Sequence, residues 1–378
     1  MMIKLFLYWS IFIAWFQFSI LPATAQSNAK LEIVTSFNKE RPGNVAISPT
    51  GRVFITMSDA TASPYKVKEI LPDGTVVDFP DTIWTRKPQG HSYKGVNAAI
   101  GIQATSDNVL WVMDLGDRKA QPVQAPKLIA WDISTRKLLH VYPIPDAVLR
   151  SNSFLQDFVI DEKNHAAVIA DMSMAGLVLP AMPAFIVIDL QTGYARRVLE
   201  NHHSFQPVDE DIVIDKQVIS HLFPDGSVLK PRYPLNPISI DRKMEWIYYG
   251  ALSGRSIFRV PAAALSSPGS DDSALSKKIV YYAAKPKSDG IKAGNRVLFV
   301  TDIENSAVVM ATPAGYSVLV KDTALISWPD GLAIAPDGYL YLVSNQLHKR
   351  PFWNLGKEES KPPYYLLRVK ITAAEGYF

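Results

Sequence analysis

Six polar side chains set the chemical question posed by this sequence: Gln156, Asp157, Asn236, Asp289, Asp330 and Asn345. They offer carboxylate and amide groups, with no thiolate or imidazole among them. Carboxylates gathered at one place raise one another's pKa unless a metal ion or a cationic ligand neutralises them. Oxygen-only donors suit a hard divalent cation such as Ca²⁺ or Mg²⁺. The same groups equally suit a small organic ligand, held through hydrogen bonds and charge. Which of these applies depends on what brings the residues together.

Each residue occupies a fixed place in a phrase that the chain repeats. The phrase reads GNVAISPTGRVFITMSD near the start. It returns as AAIGIQATSDNVLWVMDLG, QDFVIDEKNHAAVIADMS, NPISIDRKMEWIYYGALS, SDGIKAGNRVLFVTDIE and DGLAIAPDGYLYLVSNQ. Every copy is an apolar run, a polar turn and a second apolar run, which is the pattern of a β-hairpin. Six hairpins of one type in one chain predict radial repetition: an all-β, six-bladed β-propeller with four-stranded blades. The segments KLIAWDIST, AFIVIDLQTG, SIFRVPAAAL and AVVMATPAG supply outer strands. LEIVTSF near the N-terminus and YLLRVKIT near the C-terminus are expected to complete a blade and close the ring.

In an antiparallel hairpin the start of the first strand and the end of the second lie at the same end. Two columns should therefore face one mouth of the central channel. The first reads Gly43, Ala98 (or Asn97), Gln156, Asn236, Asp289 and Asp330. The second reads Ser58, Asp114, Asp171, Gly250, Asp302 and Asn345. Aspartates at strand ends also commonly accept backbone N–H groups of the next turn, and that role is expected of Asp114, Asp171 and Asp302. The Pro-Asp-Gly triplets at 72–74, 224–226 and 336–338 sit between apolar runs as hairpin turns. The triplet at 329–331 precedes an inner strand, which aims Asp330 at the channel mouth. Trp84, Trp328, Phe352 and Trp353 fall in or beside mouth-side loops, where they could wall a pocket. Aromatic walls facing carboxylates suit a cationic aromatic amine.

Composition narrows the partners. The chain has 378 residues, 48% hydrophobic and 20% charged, with a net charge of +3. A charge this small, with no long Lys/Arg run, argues against nucleic acid or an anionic membrane as partner. There is no cysteine, so neither disulfides nor thiolate chemistry are available. Lys4, the apolar stretch Leu5 to Leu21 and Ala23-Thr24-Ala25 form a signal-peptide pattern. Residues 1–25 are read as a secretory signal and 26–378 as one propeller domain, secreted or periplasmic. The seven histidines are scattered, and no HExxH, GxSxG or phosphate-binding glycine loop occurs. Residues 200–229 carry extra polar sequence expected to form a loop and an added strand pair, and 266–276 read as a surface loop.

LWVMDLGD followed by PKLIAWDISTRKLL resembles the yellow / major royal jelly protein family. AVIADMS, AFIVIDLQTG, WIYYGALSGRSIFRV, VLFVTD and SWPDGLAI then follow in that family's order. The resemblance implies a secreted six-bladed propeller with a ligand pocket at the channel mouth. Family members are associated with binding amines or sterols, or with conversion of catechol-derived pigments. A more distant similarity is to the gluconolactonase / senescence-marker propellers, which hold a divalent metal through Glu, two Asn and Asp. Asn236 and Asp330 match two of those positions; Gln156 with Asp157 stands at another, and Gly43 replaces the Glu. Ligand binding is thus the main functional expectation. A metal-dependent lactonase or a catechol-pigment tautomerase is the alternative.

Overall fold

The computed structural model describes residues 29–58, 63–90, 92–173 and 180–376. The signal-peptide expectation for residues 1–25 lies outside the described residues.

Each repeated phrase forms the inner pair of a four-stranded antiparallel sheet, and six such sheets make the ring. The inner strands are Pro42–Ile47, Ala99–Ala104, Leu155–Asp161, Leu235–Ile240, Ile291–Ala293 and Pro329–Ile334. Their partners are Val53–Met57, Val109–Asp114, Ala166–Asp171, Trp246–Ala251, Leu298–Asp302 and Tyr339–Ser344. The second strands are largely apolar, and most are buried on both faces. Sheets covered on both faces read as continuous apolar runs. Alternate residues then feed different cores. Val45 and Ile55 pack toward the sixth blade, whereas Ala46 and Phe54 pack toward the second.

One apolar cluster consequently fills each of the six gaps between neighbouring blades. Between the third and fourth blades, Phe185 meets Phe205 at 4.8 Å and Tyr249 at 5.0 Å between ring centroids, both edge-on. Truncating such a buried ring to alanine costs about 3–5 kcal/mol. Lacking disulfides, the ring is held by these cores and by its closure. Leu31–Phe37 pairs antiparallel with Tyr364–Lys370, so one blade contains both ends of the described chain.

The Pro-Asp-Gly triplets divide as expected. Gly74, Gly226 and Gly338 have φ of +84°, +85° and +83° in turns, a region glycine enters without steric cost. Pro329–Gly331 instead begins an inner strand. Gly331 is required there for a different reason, since a Cβ would collide with Asn44 Oδ1.

Residues 200–229 form two small hairpins, Val213–Ile214 with Gln217–Val218 and His221–Leu222 with Val228–Leu229. Ser220 between them pairs with Asn354 of the C-terminal loop. Two helices of one turn each, Ala262–Ser266 and Asp272–Ser276, lie on the fourth blade's outer connection. The second replaces part of the surface loop expected at 266–276, because the Asp271 side chain accepts the Ala274 N–H and caps it. Among the described residues, no helix is long and apolar enough to cross a membrane.

Candidate functional site

The inner strands share a device that the sequence does not announce. In five blades the inner strand carries one more residue than its partner at the start of the ladder. Such a bulge kinks the strand and re-aims a side chain. The re-aimed positions are Gly43, Ile100, Gln156, Asn236 and Asp330, and Asp289 holds the equivalent place ahead of the fifth blade's ladder. Along the strands the expected first column holds its place except in the second blade, where Ile100 replaces Ala98 or Asn97; of its members Asn236 does not line the mouth cavity. The second column also shifts. Pro42 pairs with Met57, Leu235 with Ala251 and Pro329 with Ser344. Ser58, Gly250 and Asn345 thus stand one residue away from the aligned positions. The extra residue was hidden because a bulge changes register without changing hydrophobic pattern.

Three of the re-aimed or adjacent residues are aspartates that sense one another; Asp289 and Asp330 are buried and Asp157 is half-buried. Asp289 accepts Asn236 Nδ2–H at 2.6 Å on one oxygen and Trp328 Nε1–H at 2.7 Å on the other. Burial pushes its pKa up to about 6 even so, with the two hydrogen bonds opposing the rise. Asp330 accepts Asn345 Nδ2–H at 2.9 Å. Its carboxyl is raised well above the usual range by burial and by the nearby Asp289 and Asp157. Asp157 accepts the Phe158 N–H at 2.9 Å. Burial lifts it to about 7 against that bond and against the nearby Lys292, while Asp289 adds to the rise. Three acids are thus kept near or above neutrality by a dry environment.

They divide two cavities along the channel. The mouth cavity, of about 320 Å³, is floored by Gln156, Asp289 and Asp330 and walled by Tyr233, Trp328 and Trp353 among others. Asn345 and Phe352 also line it. Asn236 and Asp157 do not face this cavity; Asn236 supports Asp289 from behind. A second cavity of about 500 Å³ opens at the hairpin-turn end, and Asp157 and Asp289 line it.

The aromatic wall is held by its neighbours. Trp353 meets Tyr233 edge-on at 5.3 Å and Phe352 at 4.3 Å. His348 stacks on Trp328 at 6.1 Å. Trp328 has φ +55°, a region that bulky residues occupy only when their surroundings impose it. The bond from its indole to Asp289 and its packing under the mouth loops supply that imposition. Trp84 is different: it packs against Trp131 at 5.8 Å in the core between the first two blades, away from the cavity. Tyr233 was not singled out by sequence, since it precedes its inner strand within an ordinary RYPLN stretch. Its hydroxyl is buried without a hydrogen-bond partner, and burial raises its pKa well above the ordinary value.

The strand-end aspartates take structural roles. Asp114 accepts N–H groups of Asn97, Ala98 and Gly116 at 2.9, 3.1 and 3.0 Å and pairs with Lys127 at 2.6 Å. Asp171 accepts the Phe154 and Ser173 N–H groups at 2.8 and 2.9 Å and pairs with Arg197 at 2.7 Å. Asp302 bonds the Asn305 backbone and side chain.

A divalent cation would have to draw on Asn236, Asp330 and their neighbours. Both Asp289 oxygens already accept N–H donors, and Asp330 is biased toward its neutral form. Among the described residues, no three His, Cys, Asp or Glu side chains are grouped so as to hold a metal ion. Asn236 Oδ1 is buried and without a partner, but one amide oxygen does not make a cage for Ca²⁺, which takes six to eight oxygens. The residues present fit a divalent metal poorly.

The same six-bladed ring occurs in solved structures of low sequence identity. A luciferin-regenerating enzyme matches with TM-score 0.56 and 12% identity, over 92% of this chain and 97% of that one. A gluconolactonase from Xanthomonas campestris gives TM-score 0.53 and 10% identity, over 92% and 91%. Regucalcin from Agrobacterium tumefaciens strain C58, a calcium-binding protein, gives 0.53 and 12%, over 92% and 97%. At these identities the likeness concerns the fold alone. No curated protein sequence matches the chain. The family model described as major royal jelly protein matches residues 97–374, a span running from the second blade through the strand that closes the ring, and the chain belongs to that family.

Proposed function

We propose that this propeller is exported and that its mouth cavity binds a small organic cation with an aromatic or apolar body. The observation that carries this reading is the pairing of a buried carboxylate floor, Asp289 and Asp330, with a wall of Trp328, Trp353 and Tyr233. Burial raises the pKa of both acids and holds Asp330 in its protonated form. An entering cation would favour their ionised form while the rings cover its apolar part and contribute cation–π attraction. Gln156, whose side chain makes no hydrogen bond with any described residue, offers the floor a further polar contact. Export rests on the signal pattern of residues 1–25 and on the family.

Calorimetry with phenethylamine, tyramine and benzyltrimethylammonium tests the reading. Binding is expected to survive chelation by EDTA and to weaken roughly ten- to a hundredfold in Asp330→Asn, the scale of a charge-assisted hydrogen bond. Silence from all three cations at millimolar concentration, in folded protein, would sink it.

A second reading, a tautomerase, draws on the acid near neutrality. Asp289, at about 6, is poised to take a proton from carbon, while the protonated Asp330 gives one to a carbonyl oxygen of the same substrate. No redox partner is needed, and acids with pKa near the working pH serve such transfers best. A turnover rate that stays unchanged in Asp289→Asn would exclude it. A lactonase reading has less support, because it needs the metal cage that these residues do not form.

A further inference from the structure

We propose that the second cavity, at the hairpin-turn end of the channel, is a separate binding site for a small organic carboxylate, with Lys292 as its anchor. All six blades line this cavity, and its volume of about 500 Å³ exceeds that of the mouth cavity. The turn-side inner-strand position is filled by Ala46, Gln103, Val159, Ser239, Lys292 and Ala333 in chain order. Only one of these carries a charge. Its neighbours on the strand, Ile291 and Ala293, are buried in the core between the fourth and fifth blades, so alternation turns Lys292 to the other face.

Lys292 is half-buried, and its side chain forms no hydrogen bond or ion pair with any described residue. None of the acids that line the cavity, Asp157, Asp241 and Asp289, bonds its ammonium. Asp241 accepts the Glu245 and Trp246 N–H groups at 3.0 and 3.1 Å. Asp289 gives both oxygens to Asn236 and Trp328. Asp157 interacts with Lys292 electrostatically, yet it is held near half-protonation around neutral pH and so neutralises the ammonium only in part. A lysine stem packed in a protein channel, with a head that forms no direct ion pair, is an available anion anchor.

The surrounding polar groups favour a carboxylate that also carries hydroxyls. Ser239 Oγ accepts the Ala293 N–H at 3.0 Å and keeps its own proton for a ligand. Asp157, when protonated, donates to a carboxylate oxygen. Arg242 stands at the cavity rim and adds positive charge at the entrance.

The experiment is calorimetry of the full protein with lactate and malate, with inorganic phosphate as the competing oxyanion source. Binding of the carboxylates is expected, weakened roughly ten- to a hundredfold in Lys292→Met and kept within about threefold in Lys292→Arg. Trp353→Leu, a change in the wall of the mouth cavity, should leave it unaltered, which separates this site from the one proposed there. Circular dichroism of each variant checks that it folds. Three results would overturn the proposal: no heat from either carboxylate at millimolar concentration, equal affinity in a folded Lys292→Met variant, or tight binding of phosphate alone.

Discussion

Asp157 offers the sharpest test of the buried acid cluster, because its effect depends on pH in a direction fixed by the geometry. Its carboxyl is raised from 3.8 to about 7 by burial. Below pH 3.8 the group is protonated in folded and unfolded chains alike and contributes nothing. Between 3.8 and about 7 the unfolded chain releases the proton while the folded chain retains it, so stability falls as pH rises. The slope is about 1.4 kcal/mol per pH unit, and three units give roughly 4 kcal/mol of destabilisation that is complete above pH 7. Asp157→Asn keeps the oxygen that accepts the Phe158 N–H and removes the ionisation. Urea denaturation of both proteins at pH 4.5, 6 and 7.5 is the assay. The variant's advantage over the parent should grow by a few kcal/mol across that range. An advantage that stays constant with pH, or shrinks, would refute the placement of this carboxyl in a dry channel between two cavities.

Other perturbations probe the remaining parts. Benzyltrimethylammonium has a charge that does not titrate, so its affinity should rise with pH through about 6 as Asp289 ionises; calorimetry at pH 5 and 7.5 reads this. Trp328→Phe removes the indole donor to Asp289, which should move that midpoint to higher pH and lower the affinity at pH 7. Lys127→Met leaves Asp114 buried without its cation and should cost about 3–5 kcal/mol, measured by denaturant titration. Deleting residues 29–38 removes the strand that pairs with Tyr364–Lys370. It opens an edge in the sixth blade and is expected to lower the thermal midpoint and promote association, seen by thermal scanning and light scattering.

The architecture was legible because it rests on local pattern repeated six times. Alternating apolar runs around polar turns specify hairpins, and six hairpins that each bury both faces have to stack in a ring. Even ring closure by LEIVTSF and the C-terminal strand followed from leftover strands that needed partners. The expectation that Asp114, Asp171 and Asp302 serve backbone N–H groups agrees with their bonds, since a strand-end aspartate finds those donors locally. The division of the Pro-Asp-Gly triplets likewise depended only on which side of an apolar run each one falls.

The site was legible in part. Gln156, Asn236, Asp289 and Asp330 were placed at one level of the channel by counting along the repeat. That count failed by two residues in the second blade, where Ile100 takes the place assigned to Ala98. A bulge is a backbone irregularity with no compositional mark. Nor could counting tell which side of the septum a side chain faces: Asp330 and Gln156 face the mouth cavity, Asp157 the other, and Asp289 both. Trp84 and Trp328 lie in similar loop contexts, yet one fills a core and the other bonds the site's central carboxylate. The sequence by itself determined how many blades there are and which positions line the channel, because both follow from short-range periodicity. Only the tertiary structure decided that three acids from three blades meet in one channel with shifted pKa values and that the Lys292 side chain forms no ion pair. Desolvation and pairing depend on what every other blade places nearby, and no local pattern carries that information.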